Sequence, residues 1–381
     1  MIPEVPSDGM TAQSSGEGGS SAGHSGHPFE RLAEPYRREL RLHCYRMLGS
    51  VHEAEDLVQE TYLRAWRSFE SFDGSGSFRA WLYRIATNAC LSAIAGRRSA
   101  KRLLPDQYAP ASAQMPDGKP ASEVAWLEPF PDSSLEGISD EAPNPEARHV
   151  MREAVQLAFI AAIQQLPPRQ RAVLLLCDVL GWSAAEAAEL LDGSPASINS
   201  ALQRARATLS RLYSGAPPAV APAPTPAEQA LLGRYLRAWE TLDLNGLAAL
   251  LKEDAIYTMP PLPQWYSGRE AIQGFFGWAW RFYDGFRLIP TAANAQPAFA
   301  GYARKGTNAQ WTAHSIHLLQ VEADRISRLT MFVRPGAPDL FRAFGLPLIL
   351  PETVEFEASR SSMSEDRGEA RGDSLYRGEN Q

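Results

Sequence analysis

Cysteine is scarce. The chain has three, Cys44, Cys90 and Cys177, set far apart within apolar helical patterns and forming neither a CxxC pair nor a Cys/His cluster. That spacing excludes a disulfide framework and a cysteine zinc site and leaves core thiols in a reducing compartment. No apolar run approaches the roughly 18 residues of a membrane span, and the polar stretch Ser14 to His27 gives no apolar signal-peptide core. The expectation is a soluble, cytoplasmic protein with no membrane partner. No internal repeat is apparent, and a net charge of −7 denies the chain an overall basic surface.

Charge is present, however, in blocks. From Phe29 to Leu104 there are 13 Arg/Lys against 9 Asp/Glu, whereas Pro105 to Asn144 sets Lys119 alone against 8 acids. A basic module is followed by an acidic strap. At 381 residues the chain exceeds one ordinary core. Composition divides it into a polar tail (1–28), a helical block (29–104), the acidic linker (105–145), a second helical block (146–213), a Pro/Ala linker (214–226), an α+β block (227–351) and a second polar tail (352–381). The tails lack the apolar area needed to offset ordering entropy and are expected to be disordered.

Apolar residues recur at three- and four-residue intervals in both helical blocks, as in Leu57, Thr61, Ala65 and Phe69, and in Val155, Phe159, Ile163 and Leu166. In the second block, Leu166-Pro167-Pro168 starts a helix that Gly181 ends, and Ser183-x-x-Glu186 is a capping box opening the next. Asp192-Gly193 turns the chain, and Ser194-Pro195 starts a third helix. This is a helix-turn-helix, which seats its second helix in a DNA major groove. With Ile198, Leu202, Ala205, Leu209 and Leu212 on the buried stripe, Asn199, Ser200, Gln203 and Arg204 point outward. Amide, hydroxyl and guanidinium groups can read base edges. A plain solvated helix face is the alternative for these residues.

The first block adds specificity. Glu55-Asp56-Leu57-Val58-Gln59-Glu60-Thr61, then Trp66, Phe72-Asp73-Gly74 and Ser77-Phe78-Arg79-Ala80-Trp81-Leu82-Tyr83-Arg84-Ile85-Ala86-Thr87-Asn88, resembles regions 2.2 to 2.4 of the sigma-70 family. Leu166-Pro167-Pro168-Arg169-Gln170-Arg171 through Leu209 resembles region 4, and the missing region 1.1 and folded region 3 mark the extracytoplasmic-function group. The resemblance implies that Glu55, Asp56, Gln59 and Glu60 dock on the β′ clamp helices of RNA polymerase core, itself an assembly of β and β′ among others. It implies that Phe78, Trp81, Arg84, Asn88, Arg97 and Arg98 serve the −10 element, with Lys101 and Arg102 joining the phosphate contacts. Trp81 is as readily a core residue as a stacking one. Asn199, Ser200, Gln203 and Arg204 would read the −35 element. Ser92 departs from the acidic or amide residue frequent in the family, which puts the −10 sequence preference in doubt. In the family the acidic linker threads the polymerase channels; the apolar island Trp126 to Pro131 inside it suggests docking or local packing.

Residues 227–333 resemble a SnoaL-like domain of the nuclear-transport-factor-2-like superfamily, through Tyr235-Leu236-x-Ala238-Trp239, Ala255 to Pro261 and Tyr266 to Ile272. The resemblance implies helices closing a curved sheet into a cone. Helices at Ala227 to Leu242 and Leu244 to Leu251, and strands near Ala255 to Met259, Phe286 to Pro290, Trp311 to Val321 and Arg325 to Val333, fit that α+β class. Tyr257, Trp265, Tyr266, Trp280, His314 and Phe332 are candidate pocket residues for a small-molecule ligand. Asp254, Asp284 and His314 are the acid–base candidates. His314 and His317, three apart on a strand, are expected on opposite faces and so unable to share a metal. The multidomain reading is a sigma factor, not an enzyme, with no cofactor or metal, two all-α modules and a SnoaL-like domain acting as a built-in regulator that docks on them. The alternatives are a stand-alone helix-turn-helix regulator and a SnoaL-type isomerase fused to a DNA-binding module.

Overall fold

The computed structural model describes residues 28–351, apart from 73, 75–76, 98–100, 117–118, 122, 137, 139–153, 213–224 and 307–308. The expected tails at 1–27 and 352–381, and most of the linker at 214–226, lie outside the described residues. Pro28, placed in the expected tail, belongs instead to the first helix, α1 (Pro28–Ala33), in which Phe29 is buried.

The first block continues as α2 (Arg37–Leu48), α3 (Val51–Ser68) and α4 (Phe78–Ala95). Ser50 caps α3 by accepting from the Glu53 amide at 3.2 Å, and Val51, Ala54, Val58, Thr61 and Ala65 form the buried stripe. Glu39 of α2 takes Arg79 of α4 at 2.8 Å, tying the two helices together. Gly49 turns the chain between α2 and α3 at φ 69°, where a Cβ would come within 2.7 Å of Leu127. Glycine is required there both by conformation and by contact with the linker.

The acidic linker carries a short helix, α5 (Pro105–Tyr108), and buries Leu104, Trp126, Leu127 and Phe130. The second block follows as α6 (Leu157–Ile163), α7 (Pro168–Leu174) running into a π-helical turn at Leu175–Val179, α8 (Ala184–Leu190) and α9 (Pro195–Leu212). Its punctuation is that of the sequence: Gly181 adopts φ 72°, Ser183 and Glu186 form the reciprocal capping box, and Asp192 turns at φ 50°. The stripe of α9 is buried at Ile198, Leu202 and Ala205, but Leu212 is 49% exposed and leaves it. The helix has run past its partners by that point.

The third block opens with α10 (Pro226–Glu240) and α11 (Leu244–Leu250). A seven-stranded sheet is built from β1 (Leu251–Thr258), β2 (Trp265–Ser267), β3 (Gly285–Ala293), β4 (Gln296–Arg304), β5 (Trp311–Glu322), β6 (Arg325–Val333) and β7 (Ile349–Leu350). Its order is β2-β1-β6-β5-β4-β3, with β7 on β5. Two more helices, α12 (Arg269–Ala279) and α13 (Ala337–Ala343), complete the block. The inner face holds Tyr235 and Trp239 of α10 and Phe276 of α12, with Leu319 and Met331 from the strands. The outer face, including Ala298, Ile316, Leu318 and Phe332, is continuous with the core of the helical blocks. All three modules therefore share one packed body.

Candidate functional site: a covered promoter face

Asp56 and Gln59 are exposed on α3, flanked by Glu55, which pairs with Arg41 at 2.9 Å, and Glu60, which pairs with Arg64 at 2.7 Å. Leu63 and Trp66 extend this surface, exposed by 50% and 53%. The acidic, amide-bearing face thus stays open. The recognition helix is open as well, with Asn199, Ser200, Gln203 and Arg204 all exposed on α9.

The face of α4 is partly covered, with Arg84 still 49% exposed at the side chain. Helices α7 and α8 lie on it: Tyr83 packs against Trp182 with ring centroids 5.5 Å apart, and Arg84 pairs with Asp192 of the helix-turn-helix at 3.1 Å. The cations expected on DNA phosphates are engaged in the same way. Arg97 pairs with Glu53, Lys101 donates to Gln165 at 3.2 Å, and Arg102 reaches Glu53 at 2.9 Å and the Trp126 carbonyl at 2.6 Å. Arg97 and Arg102 are largely buried, 17% and 12% exposed at the side chain, which corrects their expected place on the surface. Burial lowers the Arg97 pKa, and Glu53 partly offsets it. Arg98 lies outside the described residues. Phe78 and Trp81 are half-buried in an aromatic cluster with Phe72, at 5.5 and 5.1 Å, and Asn88 is half-buried further along α4.

Region-to-region contact is anchored by Arg171. Its buried guanidinium donates to Ile163 O at 3.0 Å, Gln164 O at 2.8 Å and the Met47 carbonyl at the end of α2. A cation at a helix C-terminus is favourably placed. Burial lowers its pKa to about 9.

The linker then locks the assembly. Glu128 Oε2 accepts from Ser50 Oγ at 2.7 Å, the Val51 amide at 3.0 Å and His52 Nδ1 at 2.9 Å, so a linker carboxylate caps the N-terminus of α3. The hydrogen bond to Glu128 raises the His52 pKa; burial pushes Glu128 up, but His52 and Arg102 hold it below its ordinary value. The other side of the linker meets the β3–β4 hairpin. Asn294 sits at its tip with φ 56°, wholly buried. Its Oδ1 accepts from the Phe130 amide at 2.9 Å, and its Nδ2 donates to Tyr45 Oη at 2.8 Å and to Val155 O at 2.7 Å. One side chain joins first block, linker, second block and sheet. The sequence reading singled out neither Asn294 nor Tyr45, and reached Glu128 only as part of the island Trp126 to Pro131; with β4 unrecognised, Asn294 gave no hairpin signal.

The candidate pocket residues do not assemble into one pocket. Tyr257, Tyr266 and Trp280 belong to the inner face, where Trp239 packs on Trp280 at 5.2 Å and on Phe286 at 5.0 Å. Phe332 is on the outer face, because β6 alternates and Met331 takes the inner position. Trp265 Nε1 donates to Ala109 O at 2.7 Å and Tyr266 Oη to Gln114 O at 2.8 Å, so both bind the linker along the sheet edge. Asp254 and Asp284 are exposed and hold no place inside the cone. His314 and His317, expected on opposite faces, share one. The register shift opposite Gly301 and Tyr302 puts an extra residue into β5, and Ser315 Oγ bridges His314 Nδ1 at 2.9 Å and His317 Nε2 at 2.7 Å. Tyr283 and Tyr235 extend the chain at 3.1 and 2.9 Å. Gly301 makes room: a Cβ there would fall 2.9 Å from His317 Nε2. Burial lowers the His314 pKa to about 4 and holds that of His317 well below its ordinary value, so both are neutral hydrogen-bonding groups near neutrality. Among the described residues no third His, Cys, Asp or Glu joins them to make a metal site.

Family models for Sigma-70 region 2, Sigma-70 region 4 and the SnoaL-like domain match residues 32–100, 156–209 and 232–329. The chain is 45% identical over 323 residues, 84% of each chain, to the ECF RNA polymerase sigma factor SigG of Mycobacterium tuberculosis H37Rv. It is 28% identical over 225 residues, 59% of this chain and 62% of the relative, to SigJ of the same strain. The crystal structure of SigJ superposes with a TM-score of 0.53 at 22% identity, covering 84% of this chain and 99% of that one, a likeness of fold. The two helical blocks in order, the open acidic face of α3 and the SnoaL-like sheet behind them agree with these matches: the chain belongs to the extracytoplasmic-function RNA polymerase sigma factors, with a SnoaL-like domain fused behind region 4.

Proposed function

We propose that this sigma factor is held in a packed arrangement by its own C-terminal domain and linker. It docks on the polymerase core, in the cytoplasm, through Glu55, Asp56, Gln59 and Glu60. It captures the −10 element with Phe78, Trp81, Arg84, Asn88, Arg97 and Arg98, and reads −35 bases with Asn199, Ser200, Gln203 and Arg204. The SnoaL-like domain regulates and does not catalyse. One observation carries the reading: Arg84, Lys101 and Arg102 are engaged by region 4 or the linker, while the docking face of α3 and the reading face of α9 are exposed. Phosphate contacts position a sigma factor on DNA, so region 4 must leave α4 before promoter melting. Run-off transcription with core polymerase tests this. Trp182→Ala with Asp192→Asn, which loosens region 4 from α4 while keeping a residue that tolerates φ 50° in the turn, should raise promoter-directed output above that of the unaltered chain. Equal or lower output at normal core association would remove the regulatory reading.

A further inference from the structure

One corner of the sheet carries cations that the described chain leaves without an acidic partner. On β3, Arg287 stands between Phe286 and Leu288, which face the inner core, and on β4 Arg304 follows Ala303, also an inner residue. Alternation puts both guanidinium groups on the outer face. Trp311, at the start of β5, packs on that face too. The Arg287 and Arg304 guanidinium carbons lie 5.0 and 4.5 Å from the centre of its ring, and the Lys305 ammonium lies 4.8 Å from that of Tyr283. Among the described residues no carboxylate pairs with Arg287, Arg304 or Lys305; Asp284, at the same end of the sheet, accepts from the Gly306 amide. Arg287 and Arg304 are half-buried and Lys305 is exposed, so all three can meet a further group.

The chain leaves the sheet beside these groups. Leu350 of β7 pairs with Trp311, and Tyr302 and Ala303 of β4 pair with Ala313 and Thr312, which brings Arg304 alongside Trp311; Gly285 of β3 pairs with Arg304 in turn. At about 4.8 Å between strands, Arg304 is about 10 Å and β3 about 14 Å from Leu350. After Pro351 the sequence reads Glu352-Thr353-Val354-Glu355-Phe356-Glu357, with no base before Arg360. Glu355 and Glu357 stand five and seven residues beyond Leu350, and a chain spans at most about 3.3–3.6 Å per residue, so both carboxylates come within reach of the corner. Tethering raises their effective concentration to roughly millimolar, which populates ion pairs too weak to hold two separate molecules together.

We propose that the acidic segment from Glu352 to Glu357 docks on this corner of its own chain, its carboxylates meeting Arg287, Arg304 and Lys305 and Phe356 meeting the Trp311 ring. The charges match: three acids precede the first base of the segment, and three cations stand at the corner against Asp284 alone. Docking neutralises a surface that would otherwise draw nucleic-acid phosphates to the C-terminal domain and away from α4 and α9.

A benzophenone photo-cross-linker at position 356 of the full chain, with products mapped by mass spectrometry, should label peptides carrying Trp311 and Arg304 within one chain. Each exposed ion pair contributes a factor of roughly 1.5–5, so Arg287→Glu with Arg304→Glu, which also adds repulsion, should cut that yield at least about fivefold. Adding Glu355→Arg and Glu357→Arg to the same chain should restore it. Where the reversal lowers the melting temperature, Glu355→Gln with Glu357→Gln, beyond the last strand, serves in its place and should cut the yield about threefold. Labelling elsewhere or between two chains, a yield indifferent to these changes, or no recovery on the charge swap overturns the docking. A promoterless DNA duplex is the rival occupant: if Arg287→Glu with Arg304→Glu weakens its binding while position 356 fails to label the corner, the corner belongs to nucleic acid and the proposal falls.

Discussion

Asn294→Gly isolates the joint between the C-terminal domain and the sigma modules. The hairpin tip has φ 56°, a left-handed conformation that glycine adopts without strain, so the substitution removes the side chain and leaves the backbone in place. Three hydrogen bonds go with it: from the Phe130 amide at 2.9 Å, to Tyr45 Oη at 2.8 Å and to Val155 O at 2.7 Å. Tyr45 keeps its bond to Glu128 O at 2.9 Å, but the Phe130 amide and the Val155 carbonyl lose a buried partner. At about 0.5–1.5 kcal/mol net for each bond, and more where a buried group is stranded, the loss is about 3 kcal/mol. That raises the separated-to-packed ratio by roughly 150-fold. Native-state hydrogen exchange reads this ratio even when the separated form is rare. The amides of Ala295 and Leu157, which bond across the joint to other side chains, should exchange faster by that factor, while those of α4 around Cys90 should not change. Acceleration spread evenly over the chain, or none at the joint, would refute the keystone argument.

Other perturbations reach other parts of the molecule. Gln203→Ala or Arg204→Ala should weaken −35 binding by about 1–3 kcal/mol and leave core association intact, measured by promoter-fragment titration at fixed salt; unchanged affinity in both would count against the reading face. Asp56→Arg with Gln59→Ala should abolish copurification with polymerase core while the melting temperature holds, since both side chains are exposed. Burial lowers the pKa of His43 to about 3 and of His314 to about 4 from 6.5, so the unfolded chain takes up protons that the native state refuses. Stability should therefore fall as pH drops below about 6.5, by about 2 kcal/mol per histidine at pH 5, read as a lower urea midpoint. His52 runs the other way: its pKa is raised by the bond to Glu128, so its contribution to linker docking is full below about 6.5 and is lost as pH rises through the raised value. His52→Gln should remove that dependence from the exchange of the Glu128 amide, which bonds Gly49 O at 3.0 Å.

Local punctuation made the helix-turn-helix legible. The capping box at Ser183 and Glu186, the glycine at 181 and Ser194-Pro195 each act within a few residues, and the helices start and stop where they direct. Strand β4 was not legible, because its run of Ala298, Ala300, Gly301 and Ala303 has little strand character of its own. Ala298 and Ala300 pack in the core shared with the helical modules, and Gly301 leaves room for the Ser315 and His317 side chains of the neighbouring strand, requirements that come from distant residues. The same holds for the histidines. Period-two alternation sets His314 and His317 apart, and only pairing with β4 introduces the extra residue that brings them together. The acidic linker shows no periodic pattern because its order is borrowed; only the apolar island Trp126 to Pro131 signalled packing, and Trp126, Leu127 and Phe130 are buried by modules on both sides.

Borrowed order has a consequence for how the molecule opens. The linker holds α3 through Glu128 and meets the hairpin through Phe130, and these two residues are joined by a single proline. Tyr45 bonds Glu128 O on one side and Asn294 on the other. Arg171 adds region 4 to the same junction by reaching α2 at Met47, beside Gly49, whose carbonyl receives the Glu128 amide. Contacts that share partners at this range do not contribute independently, and their energies are non-additive by about 0.5–3 kcal/mol. Losing the hairpin strands the Phe130 amide, which weakens the linker's hold on α3, and a loosened linker exposes Leu127 against Gly49 and so loosens region 4. Release of Arg84, Lys101 and Arg102 is then expected as a concerted event rather than three separate ones. A double-mutant cycle of Asn294→Gly with Glu128→Gln, scored by exchange at Ala295, should give a combined effect smaller than the sum, because the first change already undoes much of what the second removes. Strict additivity would mean that linker and hairpin dock as independent units, and the C-terminal domain could then leave without uncovering α4.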